Sequence, residues 1–289
     1  MHDQRIGIIG GTGLYELPGF EKVDEKTITT AFGEPSAPLK ILKSGEKEVV
    51  FLPRHGENHH LLPTELNHRA NIMAMKMMGV KWLIGVSAVG SFKEALPPQT
   101  MVFVDQFIDR TRLVQTFFGN GLVAHVGFAY PTEPSLSKIL AQCAIELGLK
   151  HQLGGTYVNM AGPAFSTLAE SRLYKSWDAD VIGMTSLSEA KLCREAEIAY
   201  APIAMVTDFD AWHPHHDAVS VEMVVKNLQA NGANARKLVS RFLEIFDPQQ
   251  ADFPSHHSLD GALMTALEDI PATTRQNLEP ILHRFFLKK

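Results

Sequence analysis

The sequence predicts an α/β fold, a single domain built on a mixed β-sheet flanked by helices, on three observations. Short runs rich in Val, Ile and Phe alternate with helical patterns along the chain. Several of these runs are apolar throughout rather than alternating, as strands covered on both faces are. With 289 residues, 45% of them hydrophobic, the chain can bury one large core.

The elements follow in order. A strand over 5–9 runs into Gly10, Gly11, Thr12 and Gly13. Strands over 37–43 and 48–53 flank "KSGEK", Lys43 to Lys47, which reads as a hairpin turn and makes the sheet mixed. A helix over 64–79 is introduced by "PTEL", and strands over 81–88, 100–107 and 122–129 come next. Helices over 135–148, 167–176 and 186–196 alternate with strands over 154–161, 180–184 and 198–207, and a long helix over 219–246 opens on "AVSVEMVVKNL". After Asp247, "DPQQADFPSHHS" reads as a linker, and 259–289 holds two helical patterns split by Pro271 and Pro280. The expected division is a main domain over 1–247 and a C-terminal helical appendage over 248–289, packed on its own subunit or reaching a neighbour.

Charge and composition narrow the partners. A net charge of −5 with no Lys/Arg block offers nothing to track a phosphodiester backbone, so nucleic acid is excluded and a small substrate is expected. Cys143 and Cys193 sit inside helical patterns and suit a reducing compartment. No window approaches the ~20 apolar residues of a membrane span, and "MHDQRIGIIGG" lacks the basic start of a signal peptide, so a soluble, cytoplasmic chain is expected.

The opening glycines do not form a dinucleotide fingerprint. Counted from Gly11, the third glycine of G-x-G-x-x-G would fall where Glu16 stands, and Pro18 spoils an immediate long helix. Two readings stay open: a tight strand exit that uses positive φ, or a small anion nest with Thr12 as its hydroxyl donor.

Three further strand exits share that character. Arg54 and His55 follow an apolar run, where a guanidinium can bind phosphate with two parallel hydrogen bonds. "IGVSAVGS" ends with Ser87, Ala88 and Gly90, and "DVIGMTSLSEA" delivers Met184 and Thr185 to a helix start that favours anions. Each alone also reads as ordinary capping by Ser and Thr, or as a surface salt-bridging Arg. Together they fit a cleft at the carboxyl ends of the strands. A fifth exit, "IAMVTDFDAWH", carries Asp208 and Asp210, which at spacing two in extended chain point to the same side, where burial and repulsion raise carboxylate pKa values. Val221, Val224 and Val225 form one apolar face of the following helix, lining a pocket or simply core.

With "GIIGGTGL", "RHGENHHLLPTELNHRANI", "SAVGS", "VDQFIDRT", "GPAFSTLAES", "DVIGMTSLSEA", "IAMVTDFDAW" and "AVSVEMV" in family order across roughly 5 to 240, the chain resembles the trimeric nucleoside phosphorylase family, within it the branch acting on 5′-methylthioadenosine. The resemblance implies a nucleoside phosphorylase-like fold, a homotrimer, and phosphorolysis of a purine nucleoside. Inorganic phosphate would be the co-substrate, with no metal and no organic cofactor. It assigns phosphate to Thr12, Arg54, His55, Ser87, Ala88 and Thr185, the ribose to Met184, and the base to Phe165, Ser166, Asp208 and Asp210. Asp208 would act as the acid, and Val221, Val224 and Val225 would line the 5′-substituent pocket. Where the family has Arg, this chain has Ala164 and Leu168, and the loop holding His213, His215 and His216 is unusual: a metal site or a solvated loop over the site. A broader purine nucleoside phosphorylase and a catalytically silent nucleoside-binding protein are the alternatives.

Overall fold

The computed structural model describes residues 4–287 apart from 12–13, 15–16, 18 and 214–220, with backbone alone for 221–226 and for 250. Among the described residues, eleven strands join in one sheet. At its centre β5 (Val80–Ser91) pairs in parallel with β1 (Arg5–Gly10) on one side and β11 (Ala199–Asp208) on the other. β1 continues in parallel to β4 (Lys47–Pro53), which a tight turn at Gly45 and Glu46 joins antiparallel to β3 (Leu39–Ser44). The last residues of β5 switch partner to β10 (Val181–Gly183), antiparallel, and pairing runs on through β9 (Thr156–Met160) to β7 (Gln106–Arg110). β11 also pairs with β6 (Met101–Phe103), which lies beside β8 (His151–Leu153).

The apolar runs are explained by what covers them. Ile8, Phe51, Ile84 and Ile203 face one cluster with Leu140 of α2 (Pro134–Glu146) and Phe242 of α5 (Val221–Ile245). Their sequence neighbours Ile9, Leu52 and Leu83 face the other, with Ile72 of α1 (His68–Met77) and Leu192 of α4 (Ser186–Glu195). Both faces of the sheet are buried, so neither phase of the strand alternation can be polar. All ten residues of β11 are buried accordingly.

The chain beyond 247 packs on its own subunit. Leu278, Ile281 and Leu282, from α6 (Ala272–Asn277) to α7 (Glu279–Phe286), join the cluster of α1 and α4. Arg284 pairs with buried Glu197, and Trp82 Nε1 donates to the Ala251 carbonyl at 2.9 Å. No helix among the described residues is long and apolar enough to cross a membrane.

Two strand expectations change. Residues 122–129 form no strand: the Val123 carbonyl accepts from the Met264 and Thr265 N–H groups, the His125 N–H donates to the Ala262 carbonyl, and only isolated bridges at Leu122 and Ala124 remain. Conversely, β2 (Glu21–Lys26), read as loop, is an exposed edge strand on β3 whose EKVDEK sequence has no buried face to betray it; its charges suit a sheet edge. The single strand expected over 100–107 is broken in two at Val104 and Asp105, where the Asp105 and Gln106 N–H groups both donate to the Gly155 carbonyl; the strand expected over 154–161 is β9, and β8 before it has no counterpart among the expected strands. The helix expected from 64 begins at His68, because Asn67 Oδ1 caps it by accepting from the Ala70 N–H, with Pro63–Glu65 left as a short 3₁₀ turn.

Buried Glu195, at the end of α4, tethers the long connection before α2, accepting from Thr116 Oγ1 at 2.8 Å and the Phe117 N–H at 2.6 Å. Burial pushes its carboxyl from 4.5 up to about 7, so the stability linked to this group is complete below pH 4.5 and is lost as pH rises through about 7. Glu195→Gln is therefore expected to be more stable than the parent in urea at about pH 8.5, with the two converging toward about pH 5. A pH-independent difference would refute this.

Candidate active site

The carboxyl ends of five strands meet at one cavity of about 570 Å³. Gly11 follows β1, Arg54 and His55 follow β4, Ser87 to Gly90 end β5, Met184 and Thr185 follow β10, and Thr207 and Asp208 end β11. β1, β4, β5 and β11 run parallel and end together on the same side, and β10, antiparallel to the last residues of β5, brings its own end back beside them. Gly10 and Gly11 have no positive φ, while Gly13 lies outside the described residues; Gly11 contributes open space at the cavity wall. Thr12 lies outside the described residues.

One end of the cavity is built of hydroxyls. Ser87 and Ser186 Oγ lie 3.2 Å apart. Thr185 occupies the N-cap of α4 but makes no side-chain cap hydrogen bond, and the buried first turn of that helix stands behind it. Asn159 Oδ1 accepts from the Leu187 N–H at 3.1 Å and fixes the helix start to β9.

Arg54 is placed differently from expectation. It is 1% exposed and turns its fork to Glu189 on α4. Nε and Nη2 donate to the two carboxylate oxygens, Nη1 donates to the Val86 carbonyl at 2.8 Å, and Nη2 also reaches the Ile9 carbonyl at 3.3 Å. Four of five N–H donors are thus spent on protein, and at most one can meet a ligand. The bidentate contact reserved for phosphate goes to Glu189 because a buried guanidinium requires a compensating carboxylate. Tyr200 Oη donates to the same carboxylate at 2.8 Å, tying β11 into the group. Beside it, His55 Nδ1 donates to the Leu61 carbonyl at 2.9 Å, and burial together with the Arg54 charge pushes its pKa down to about 4. His55 is neutral at neutral pH.

The opposite end is acidic. Asp208 and Asp210 both line the cavity, but not through extended spacing: the chain leaves the strand after Asp208, and Asp210 opens a 3₁₀ turn (Asp210–Trp212) at φ 49°. Asp208 Oδ1 accepts from the Asp210 N–H at 2.9 Å and Oδ2 lies 2.7 Å from Thr207 Oγ1. Burial pushes both carboxyls up; for Asp208 the charge of Asp210 adds to it, the lesser cause. Asp210 Oδ2 is buried with no hydrogen-bond partner among the described residues, facing Ser166 and Ser171. Two asparagines on α5 hold this strand end, Asn227 donating to the Thr207 carbonyl at 2.7 Å and Asn231 to that of Val206 at 2.8 Å. Gly90 lies opposite Asp208 in the sheet, and a Cβ there would stand 2.9 Å from Asp208 Oδ1 and 3.2 Å from Asp210 Cβ.

Between the ends, Met184, Phe165, Met160 and Met205 line the wall, with Phe165 46% exposed at the mouth. Ser166 is not on the cavity wall; its hydroxyl approaches Met160 Sδ at 3.8 Å. The side chains of Val221, Val224 and Val225 lie outside the described residues, as do His215 and His216. Further along α5, Leu228 and Gln229 line the cavity. Ala164 and Leu168 are both exposed.

Glu189, Tyr157, Tyr200, Leu228, Asn227 and Asn231 were not singled out by the sequence. The signal for Glu189 is a carboxylate within a helical turn whose other residues are small or apolar, a place where an acid is kept only with a partner.

The cavity lies at the carboxyl ends of the strands of an α/β sheet, the place where enzymes of this architecture bind their substrates. The family model described as the phosphorylase superfamily matches residues 5–244, and the chain belongs to that superfamily. It is 50% identical over 285 residues to the S-methyl-5′-thioadenosine phosphorylase of Thermosynechococcus vestitus, covering 97% of this chain and 99% of that one. Among solved structures, a methylthioadenosine phosphorylase sourced from an antarctic soil metagenomic library superposes with a TM-score of 0.91 at 42% identity, covering 98% of this chain and 100% of that one. The methylthioadenosine phosphorylase of Schistosoma mansoni in complex with adenine gives a TM-score of 0.81 at 30% identity, over 97% and 98% of the two chains.

Removing the charge of Glu189 strands a buried guanidinium. Glu189→Gln is expected to lower unfolding stability by about 3 kcal/mol or more, read from denaturant midpoints. A loss under about 1 kcal/mol would place the pair in the range of solvent-screened surface pairs instead.

Proposed function

We propose that this protein catalyses phosphorolysis of 5′-methylthioadenosine to adenine and 5-methylthioribose 1-phosphate. The observation that carries the reading is the single cavity in which Ser87, Ala88, Thr185, Arg54 and His55 stand at one end and Asp208 and Asp210 at the other. An N-glycosidic bond breaks through an oxocarbenium-like sugar, so the site must set negative charge beside the ribose and a proton source at the leaving base. Phosphate, held at the hydroxyl end with Thr12 as a further donor, supplies the first. Its oxygen bonds to the anomeric carbon as the bond to the purine nitrogen breaks and the electron pair leaves with the base. Asp208 supplies the second, its burial holding a proton available for the imidazole edge of the purine. Met184 underlies the ribose.

Asp210 sets the base, with Ser166 behind its carboxyl. A six-amino group donates to the free Asp210 oxygen, whereas a six-oxo group there opposes acceptor to acceptor in a buried place. Phe165 covers the ring. Leu228 lies on the face of α5 that also carries Val221, Val224 and Val225 at helical spacing, an apolar wall for the methylthio group. We assign the assembly as a homotrimer, supported by apolar side chains left bare near the site, among them Phe165, Leu168, Leu173 and Trp177. The two buried free thiols fit a cytoplasmic setting.

The test is phosphate-dependent release of adenine from methylthioadenosine, with adenosine and inosine compared as kcat/KM. Asp208→Asn is expected to keep its fold and lose about 100-fold or more of kcat. Equal use of inosine would overturn the base assignment, and base release that does not depend on phosphate would overturn the reaction. Light scattering is expected to report three times the 32.0 kDa chain mass, and a monomer retaining full activity would refute the assembly.

A further inference from the structure

We infer that Tyr157 is a positioning residue of the phosphate subsite, its buried hydroxyl donating to Ser186 so that the Ser186 proton goes to Ser87 Oγ and the Ser87 proton is left to point at the oxyanion. The inference rests on the phosphorolytic reading of the cavity, and deepens it.

Tyr157 sits in the middle of β9, fully buried, one strand away from the cavity wall. Its ring is locked among Val89, Val102, Val104 and Val181, with Phe107 at 5.4 Å. Its hydroxyl passes over Gly183 of β10: a Cβ on Gly183 would lie 1.9 Å from Tyr157 Oη and 2.6 Å from Cζ, so only glycine leaves the slot through which the hydroxyl extends. Beyond that slot stand the Ser186 and Ser87 hydroxyls and the Thr185 backbone, the groups that end β5 and open α4. Oη is buried and makes no hydrogen bond of good geometry among the described residues, with the Ser186 and Ser87 hydroxyls facing it. A hydroxyl so placed is costly, and a core of valines offers it no other use.

The directions of the hydrogen bonds give it one. Ser87 and Ser186 stand 3.2 Å apart and either can donate to the other; donation by Ser87, which lines the cavity, removes its proton from the oxyanion's reach. A third hydroxyl donating to Ser186 from behind sets the direction of the chain, so that the Ser186 proton goes to Ser87 Oγ and the Ser87 proton turns to the cavity. Tyr157 is suited to this because its burial raises its pKa and keeps it a donor. It touches no substrate itself; it acts through the serines.

Tyr157→Phe keeps the ring and deletes the donor, and Ser87→Ala removes the relay. In Tyr157→Phe the thermal midpoint without ligand is expected to stay equal or rise, since an unpaired buried hydroxyl is lost. The KM for phosphate is expected to rise about tenfold, while kcat and the KM for the nucleoside at saturating phosphate move less than about twofold. The melting shift produced by inorganic phosphate alone should shrink in parallel. In the Ser87→Ala background the same change should add less than about twofold. An unchanged phosphate KM, an equal rise in both KM values, or full additivity with Ser87→Ala would overturn the inference while leaving phosphorolysis intact. Absence of phosphate-dependent base release in the parent protein would instead overturn the functional reading, and this inference with it.

Discussion

The buried pair of Arg54 and Glu189 is the constraint on which the site depends. Arg54 leaves the end of β4, takes the carbonyls of Ile9 on β1 and Val86 on β5, and closes on a carboxylate from α4 that also receives Tyr200 of β11. Four strands and a helix are bound at one point beneath the cavity floor. Taking two charges out of water is unfavourable, and the geometry repays it only when the donors and acceptors are met, as four of the five Arg54 donors and both Glu189 oxygens are here. The loops above, which carry the small hydroxyl residues, can then be short and still converge.

Close backbone approach does the rest of the positioning. At Gly90 the absence of a side chain lets β5 run against the Asp208 and Asp210 carboxyls; at Gly183 it lets a tyrosine hydroxyl reach through β10. Both glycines lie in strands, where glycine is otherwise unfavourable, and both stand where a ligand or a second side chain needs the room. The α5 asparagines hold the end of β11 by donating to the Thr207 and Val206 carbonyls, the latter also accepting from the Gln99 N–H.

What the sequence made legible follows from which signals are local. Strands buried on both faces, such as β5 and β11, announce themselves as apolar runs, and the β3–β4 turn by its Ser-Gly-Glu stretch. β2 does not, because an exposed edge strand draws its structure from pairing with β3 and not from its own pattern. Residues 122–129 have strand-like composition but find their partners in the chain near 262–265, a contact some 140 residues away that no window reveals. The same holds within the site. Arg54 is recognisable at its strand exit, whereas the direction of its fork is decided by Glu189, 135 positions later. Asp208 and Asp210 are legible as a pair, but the turn that carries Asp210 to the cavity at positive φ is set by packing, with Trp212 Nε1 anchored to the Ser91 carbonyl at 2.7 Å.

The electrostatics of the cavity then acquire a direction. Arg54 is neutralised by Glu189, His55 is held uncharged, and the buried acids are pushed toward their protonated forms, so the protein brings little net charge of its own to the place where bonds change. On the proposed reading, phosphate is met mainly by neutral donors: hydroxyls, backbone N–H groups and the start of α4. Such donors hold an anion without cancelling its charge. A full guanidinium fork on the phosphate would bind it more tightly and quench the field it exerts on the sugar. By turning that fork away to a carboxylate, the fold leaves the bound oxyanion as the dominant charge in a sheltered cavity, facing the carbon on which positive charge develops. Binding strength is given up at the nucleophile so that the attraction grows only as the glycosidic bond opens, which is where stabilisation accelerates the reaction.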